Sequence, residues 1–272
     1  MAGFSLKSYL ENADATETVS FTEENPDSIY NRYPFYFQSD KEIELEESDS
    51  PENSKNPYLW LDSGGMVNIK NGIAKTIQSD SEKYSYWRVA YFLDNPRDTD
   101  NGYHPQNVLR LVTKAKWLNF TEEATFRINK YNLSKSENRN ESNGILLFSR
   151  YKDQNNTYYA GLRVDGAVVI KKKIGGKYTT LALKEIIPGY DPEKNPNVLP
   201  INKWIGLKVE TINKSPNEVL INLYIDENCA GIWTKVLSAT DNSKALTGSG
   251  SAGIRTDFMD VEIKDYKINP IE

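Results

Sequence analysis

Two clusters of side chains carry the chemistry available to this chain. The first is Gly102-Tyr103-His104-Pro105-Gln106-Asn107-Val108-Leu109-Arg110. The second is Tyr158-Tyr159-Ala160-Gly161-Leu162-Arg163, followed closely by Lys171 and Lys173. Each places phenols beside a guanidinium. The first adds amides and the only histidine, and the second adds two ammonium groups. A tyrosine offers a flat apolar face and a polar tip, which suits stacking on a sugar ring. Tyr159, Gly161 and Arg163 alternate with Tyr158, Ala160 and Leu162, so one wall of an extended segment carries a phenol and a cation. That wall suits a glycan chain, an anionic one above all.

Each residue also has a plainer reading. Tyr158 and Tyr159 are adjacent, so one of them faces the core. His104 precedes a proline in a loop-like turn and suits a surface hydrogen bond. Arg110 alternates with Val108 and Val112 and suits a carboxylate across one sheet face. Three consecutive lysines suit an edge strand guarded against aggregation.

A third group is acidic. Asp94, Asp98 and Asp100 lie in DNPRDTDNG. Calcium takes several carboxylate and carbonyl oxygens from loops of this kind, but EF-hand spacing is absent. An Asx-rich turn accounts for the same residues. A structural Ca2+ on Asp94, Asp98 and Asp100 therefore stands beside an ion-free turn, and no other cofactor is implied.

The elements that position these groups are short and regular. Segments such as YLWLDSGG, MVNIKNG, WRVAYFL, NVLRLVTK, GILLFSRY, TYYAGLRV, AVVIKKK, WIGLKVETI, EVLINLYID and VEIKDYKI read as strands divided by Gly, Asn, Asp or Pro. Asp165-Gly166 between two alternating runs predicts a type I′ hairpin. Glu42, Glu44 and Glu46 at period two read as an edge strand with a solvated acidic face. SLKSYLENA predicts a short helix capped by Ser5. No stretch sustains helical periodicity, so the expected class is all-β: two stacked antiparallel sheets. The domain expectation is an acidic N-terminal part, residues 1–56, packing on one sandwich over residues 57–272.

Composition narrows the function classes. The chain has 272 residues, a net charge of −5, one cysteine and one histidine. The charge argues against general nucleic-acid affinity. One cysteine excludes an internal disulfide, and the ligands for a Cys/His zinc site are missing. Walker, GxGxxG and GxSxG motifs are absent. No membrane span or signal peptide is read, and the expected setting is extracellular or cell-surface with an export signal removed.

Four segments together resemble the concanavalin A-like lectin/glucanase superfamily: WLNFTEEATFRI, NGILLFSRYKDQNNTYYAGLRVDG, WIGLKVETINKSPNEVLINLYID and GSAGIRTDFMDVEIKDYKI. The resemblance covers roughly residues 60–270 and implies a jelly-roll sandwich. It also spans several functional branches. The glucanase branch implies Glu-x-Asp-x-x-Glu, but Asp260-Val-Glu262-Ile-Lys-Asp265 differs in order and spacing, and Asp260 and Glu262 read as solvent-facing. The polysaccharide-lyase branch implies β-elimination from a uronate, with a phenol or imidazole moving protons and cations or amides neutralising the sugar carboxylate. On that implication Tyr159, Arg163, His104 and Arg110 are the catalytic candidates. Tyr158, Gln106, Asn107, Lys171 and Lys173 would hold the polymer. The Arg-x-Glu-x-Arg and Gln-Ile-His strands of such lyases are absent. Three readings stay open: a uronate lyase, a non-catalytic carbohydrate-binding or adhesion domain, and a laminin-G-like protein-interaction domain. The expected partner is a polysaccharide, and the expected state a monomer.

Overall fold

The computed structural model describes residues 42–78 and 86–271. The helix expected over SLKSYLENA lies outside them. The first half contributes β1 (Ile43–Glu46), β2 (Leu59–Ser63), β3 (Met66–Lys70), β4 (Ile73–Thr76), helix α1 (Tyr86–Asp94), β5 (Val108–Thr113), β6 (Phe120–Tyr131) and β7 (Gly144–Asp153). The second contributes β8 (Asn156–Arg163), β9 (Ala167–Ile174), β10 (Lys177–Glu185), β11 (Trp204–Ser215), β12 (Glu218–Asp226), β13 (Thr234–Asp241), β14 (Ser251–Asp257) and β15 (Met259–Pro270).

The strands form two antiparallel sheets. One has eight strands in the order β1-β3-β4-β15-β6-β11-β12-β13; the other has seven, in the order β10-β9-β8-β7-β14-β5-β2. This is the two-layer jelly-roll sandwich that the resemblance implies. Period-two alternation decides which side chains meet between the layers. Tyr158, Ala160 and Leu162 of β8 join Val168 and Ile170 of β9 in the central core, with Leu207, Val209, Ile221, Leu223, Val261 and Ile263 from the facing sheet. Burying each large aliphatic side chain contributes roughly 1.5–3 kcal/mol.

Four local expectations change. WRVAYFL forms α1 rather than a strand. Its Trp87/Val89/Tyr91/Leu93 alternation mimics a strand, but Trp87 and Tyr91 also lie one helical turn apart. Trp87 packs on Gly65, and the Tyr91 hydroxyl accepts from Gly64 N at 2.8 Å and donates to Glu47.

The Asp165-Gly166 turn is not type I′. Among the described residues, Gly166 has a positive φ of 84° while Asp165 does not, and Gly166 N donates to Arg163 O at 3.0 Å. This is a three-residue hairpin loop closed by a left-handed glycine.

β9 is not an edge. β10 covers it, and Lys172 points inward to Asp241 at 2.8 Å. Finally, Asp260 and Glu262 are buried rather than solvated. Asn132 Nδ2 donates to Asp260 at 3.1 Å, and Glu262 pairs with Lys75 at 3.0 Å and with Arg127. The β1 edge expectation holds, with Glu44 exposed and Glu42 paired to Lys70 at 3.1 Å.

Candidate functional site: the outer face of the seven-stranded sheet

Strand register alone assembles a second, smaller cluster on the face turned away from the core. One rung runs Lys171, Tyr159, Phe148, Gly253, Val112, Trp60 across six strands. The next runs Val169, Gly161, Leu146, Arg255, Arg110. Phe148, Tyr159, Val112, Leu146, Val169 and Tyr151 pack together as a buried apolar floor, with Trp60 against it. The rings interlock: Phe148 lies 5.0 Å from Tyr151 and 6.0 Å edge-on from Tyr159. Glycine makes this floor possible. A methyl on Gly253 would sit 2.3 Å from the Leu111 carbonyl oxygen and 2.4 Å from a Phe148 ring carbon.

Cations border the floor, and most carry their own acid. Arg110 Nε donates to Asp62 at 2.6 Å, and the Tyr151 hydroxyl donates to the same carboxylate oxygen at 2.8 Å. Arg163 grips Asp165 at 2.6 and 3.1 Å. Arg255 Nε donates to Asp257 at 2.9 Å. Lys171 differs. Its Nζ stands 5.7 Å from the Tyr159 ring centre and 5.1 Å from that of Tyr178, and among the described residues no carboxylate lies within ion-pair distance of it. Lys173 lies 4.9 Å from the Tyr178 ring. The Arg255 guanidinium is 5.7 Å from the Tyr159 ring, so Tyr159 is flanked by two cations.

Electrostatics follow from burial. Desolvation pulls Lys171 down to about 8, with Arg255, Arg163 and Lys173 pulling the same way and Asp257 opposing. Burial pushes the Tyr159 phenol up to about 12. The Tyr159 hydroxyl is fully buried, and the charge of Arg255 and a hydrogen bond from it work against that rise.

The structure brings together Tyr159, Arg163, Arg110, Lys171 and Lys173. It separates the others. Tyr158 is a correction: it lies wholly between the sheets, donating to Asp241 at 2.6 Å and accepting from Leu246 N at 2.8 Å, out of reach of a ligand. Gln106 is buried and ties the Met66 carbonyl to the Ile77 amide, so it is a strut rather than a substrate contact. Asn107 is likewise buried, donating to Asp98 O and to Asp100 at 2.9 Å. His104 sits in the turn before β5 with Nδ1 2.8 Å from Asp100.

The acidic turn is knitted by donors. Ser134 donates to Asp100 at 2.6 Å, and Ser136 and Asn138 donate to Asp98. Burial works to raise the Asp98 carboxyl, but the bonds from Ser136, Asn138 and Asn95 outweigh it and hold the group below its usual value. Asp94 closes α1 and makes none of these bonds. Among the described residues no group of three or more His, Cys, Asp or Glu is arranged to hold a metal.

Arg255, Asp257, Asp62, Tyr151 and Tyr178 were not singled out from sequence. The alternation of SAGIRTD already puts Arg255 and Asp257 on one face, but only the pairing of β14 with β7 reveals which face.

The molecule is thus an antiparallel sandwich with a buried aromatic layer, bordered by cations, on the outer side of its seven-stranded sheet. No family model matches the chain, and no curated protein matches it. Among solved structures it is similar to a carbohydrate-binding module, CBM66 from Bacillus subtilis, at 18% identity over 60% of this chain and 81% of that one, with a TM-score of 0.43. It is similar to the Ca2+-bound VIP36 exoplasmic/lumenal domain at 9% identity over 84% and 90%, with a TM-score of 0.46. It is also similar to the GH43 protein BlXynB from Bacillus licheniformis at 14% identity, over 59% of this chain and 29% of that one, with a TM-score of 0.37. No helix among the described residues is long and apolar enough to cross a membrane.

Proposed function

We propose that the protein is an extracellular, monomeric glycan-binding domain. It holds an acidic polysaccharide along the outer face of the seven-stranded sheet. The observation that carries this reading is the set of reachable groups on that face: the exposed Tyr178 ring and the half-buried Trp60, beside Arg110, Arg163, Arg255, Lys171 and Lys173 on the rigid sheet. Rigid rings give stacking area at low entropic cost, and guanidinium and ammonium groups bind sugar carboxylates.

Binding without cleavage fits this geometry better than β-elimination. A general base must release its proton near the working pH, yet burial holds the Tyr159 phenol protonated. The histidine is committed to Asp100. The arginines are committed to aspartates. Calcium enters only as a structural ion at the Asp94–Asp100 turn, where Asp98 and Asp100 would first give up serine and asparagine donors; a chelator-insensitive melting curve is expected.

The test is affinity electrophoresis through gels containing uronate and neutral polysaccharides. Ultraviolet absorbance is followed in parallel for a new C4–C5 double bond. Retention without absorbance is expected. Steady growth of the absorbance would establish cleavage, and free migration through every gel would end the glycan reading.

A further inference from the structure

The eight-stranded layer carries an aromatic surface of its own. In β11 the side chains of Ile205, Leu207 and Val209 enter the core, so Trp204, Gly206, Lys208 and Glu210 face outward. Trp233, in the turn before β13, lies over Gly206: a methyl there would sit 3.0 Å from its ring. The two indoles therefore share one face. Both are half-buried, and among the described residues neither indole N–H has a hydrogen-bond partner.

The charged groups around these rings are matched to one another. Arg127 stands 4.7 Å and Lys264 4.9 Å from the Trp204 ring centre, and Lys208 stands 4.4 Å from that of Trp233. Glu262 pairs with Arg127 and, at 3.0 Å, with Lys75. Glu123 pairs with Lys267 at 2.5 Å and with Lys208 at 3.8 Å. Lys264 pairs with Asp265 at 3.5 Å, and Glu210 accepts from Asn222 at 2.5 Å. Each cation beside the rings thus has an acid, and the surface asks no net charge of a ligand. A carboxylate next to an ammonium or guanidinium offers an acceptor and a donor side by side, which matches a sugar hydroxyl, itself both donor and acceptor. A protein covering this face would have to desolvate every one of these pairs, whereas a glycan leaves its far side in water.

We infer that the outer face of the eight-stranded sheet around Trp204 and Trp233 is a binding site for a neutral glycan. Sugar rings pack on the two indoles, the indole N–H groups donate to sugar oxygens, and the Arg127–Glu262 and Lys208–Glu123 pairs take the hydroxyls. The site does not depend on the acidic-glycan reading, which concerns the other layer. With both faces occupied, one molecule bridges two kinds of chain.

The experiment is limited N-bromosuccinimide oxidation of the intact protein, with peptide mass mapping of each tryptophan. It is run with and without neutral hexasaccharides of glucose, xylose, mannose and galactose, and calorimetric titration follows the same probes. Trp204 and Trp233 should be oxidised in the free protein and shielded by at least one neutral probe, while Trp60 on the opposite layer is not. A glucuronate hexasaccharide should shield them less than the best neutral probe does. Trp204→Ala should weaken binding of that probe roughly tenfold and leave retention in the uronate gel at the wild-type level. A melting curve verifies that this variant folds, and the oxidation map needs no variant. If no neutral probe binds, if a probe binds without shielding Trp204 and Trp233, or if the glucuronate probe shields them as well as the best neutral one, the assignment falls. Free migration through the uronate gel together with shielding here would end the acidic-glycan reading and leave this site standing.

Discussion

Tyr266 donates its hydroxyl hydrogen to Oε1 of Glu122 over 2.7 Å, and both side chains lie wholly within the core between the two sheets. The Tyr266 bond and the Gly253 backbone amide work to lower the Glu122 carboxyl, but burial outweighs both. Burial pushes the Glu122 carboxyl well above the ordinary carboxylate range, so it is held uncharged. A group whose folded-state value is raised contributes stability fully present below its unfolded value, and lost as pH rises through the folded value. The wild-type melting temperature should therefore decline as pH rises above the ordinary carboxylate value of about 4.3. Glu122→Gln, which cannot ionise, should flatten that decline. Parallel curves in a pH series of calorimetric melts would contradict this. Tyr266→Phe strands the buried acceptor and should cost about 1–3 kcal/mol.

The second buried polar group is ionic. Lys172 Nζ lies 2.8 Å from both oxygens of Asp241, and Tyr158 donates to the same carboxylate at 2.6 Å. Removing one partner of a buried pair leaves an uncompensated charge, which costs about 3–5 kcal/mol. Lys172→Met should lower the urea midpoint accordingly, and Lys172→Met with Asp241→Asn should recover part of the loss. Lys171→Met, one residue away on the other face, should leave the midpoint nearly unchanged. Equal losses for the two methionine variants would refute the inward/outward assignment.

Gly253 is a packing requirement of the buried aromatic layer on the outer side of the seven-stranded sheet. Its missing side chain leaves space that Phe148 fills. Gly253→Ala forces either the Leu111 backbone or the Phe148 ring to move, and overpacking of this kind costs about 1–3 kcal/mol or more. The expected result is a lower melting temperature together with weakened glycan retention. A melt equal to wild type would mean that the floor repacks freely.

Helix α1 lies on the surface, with Arg88 over the Tyr103 ring at 3.7 Å. None of its residues is fully buried, and Tyr86, Val89, Phe92 and Leu93 are exposed. The Tyr91 hydroxyl ties it to Gly64 and Glu47. Tyr91→Phe should raise proteolytic cleavage within residues 86–94 several-fold while leaving the global melt within a few degrees. Unchanged cleavage would show that the Trp87–Gly65 and Arg88–Tyr103 contacts suffice without it.

The architecture was legible because it is written in local alternation. Tyr158, Ala160 and Leu162 against Tyr159, Gly161 and Arg163 set both faces of β8 without any knowledge of its neighbours. The same rule misled at WRVAYFL, where alternating aromatics fit a strand but found a helix turn instead. The site was only half legible, because its partners come from distant strands. Arg255 and Asp62 reach Tyr159 and Arg110 through the insertion of β14 between β7 and β5 and the addition of β2 at the margin. Likewise Gln106 and Asn107 looked like ligand-binding amides, since a sequence does not reveal that a turn will use them to close on itself.

The placement of β14 and β15 has a consequence for synthesis. Residues 251–270 supply an interior strand to each layer, β14 between β7 and β5 and β15 between β4 and β6. A nascent chain emerging from the ribosome can zip up the β7-to-β10 meander early, because those partners are consecutive. It cannot unite either layer's two halves until β14 and β15 arrive. The protein therefore waits in an unclosed form, with hydrogen-bonding margins bare on both sheets, and is most vulnerable to mispairing just before translation of this segment finishes.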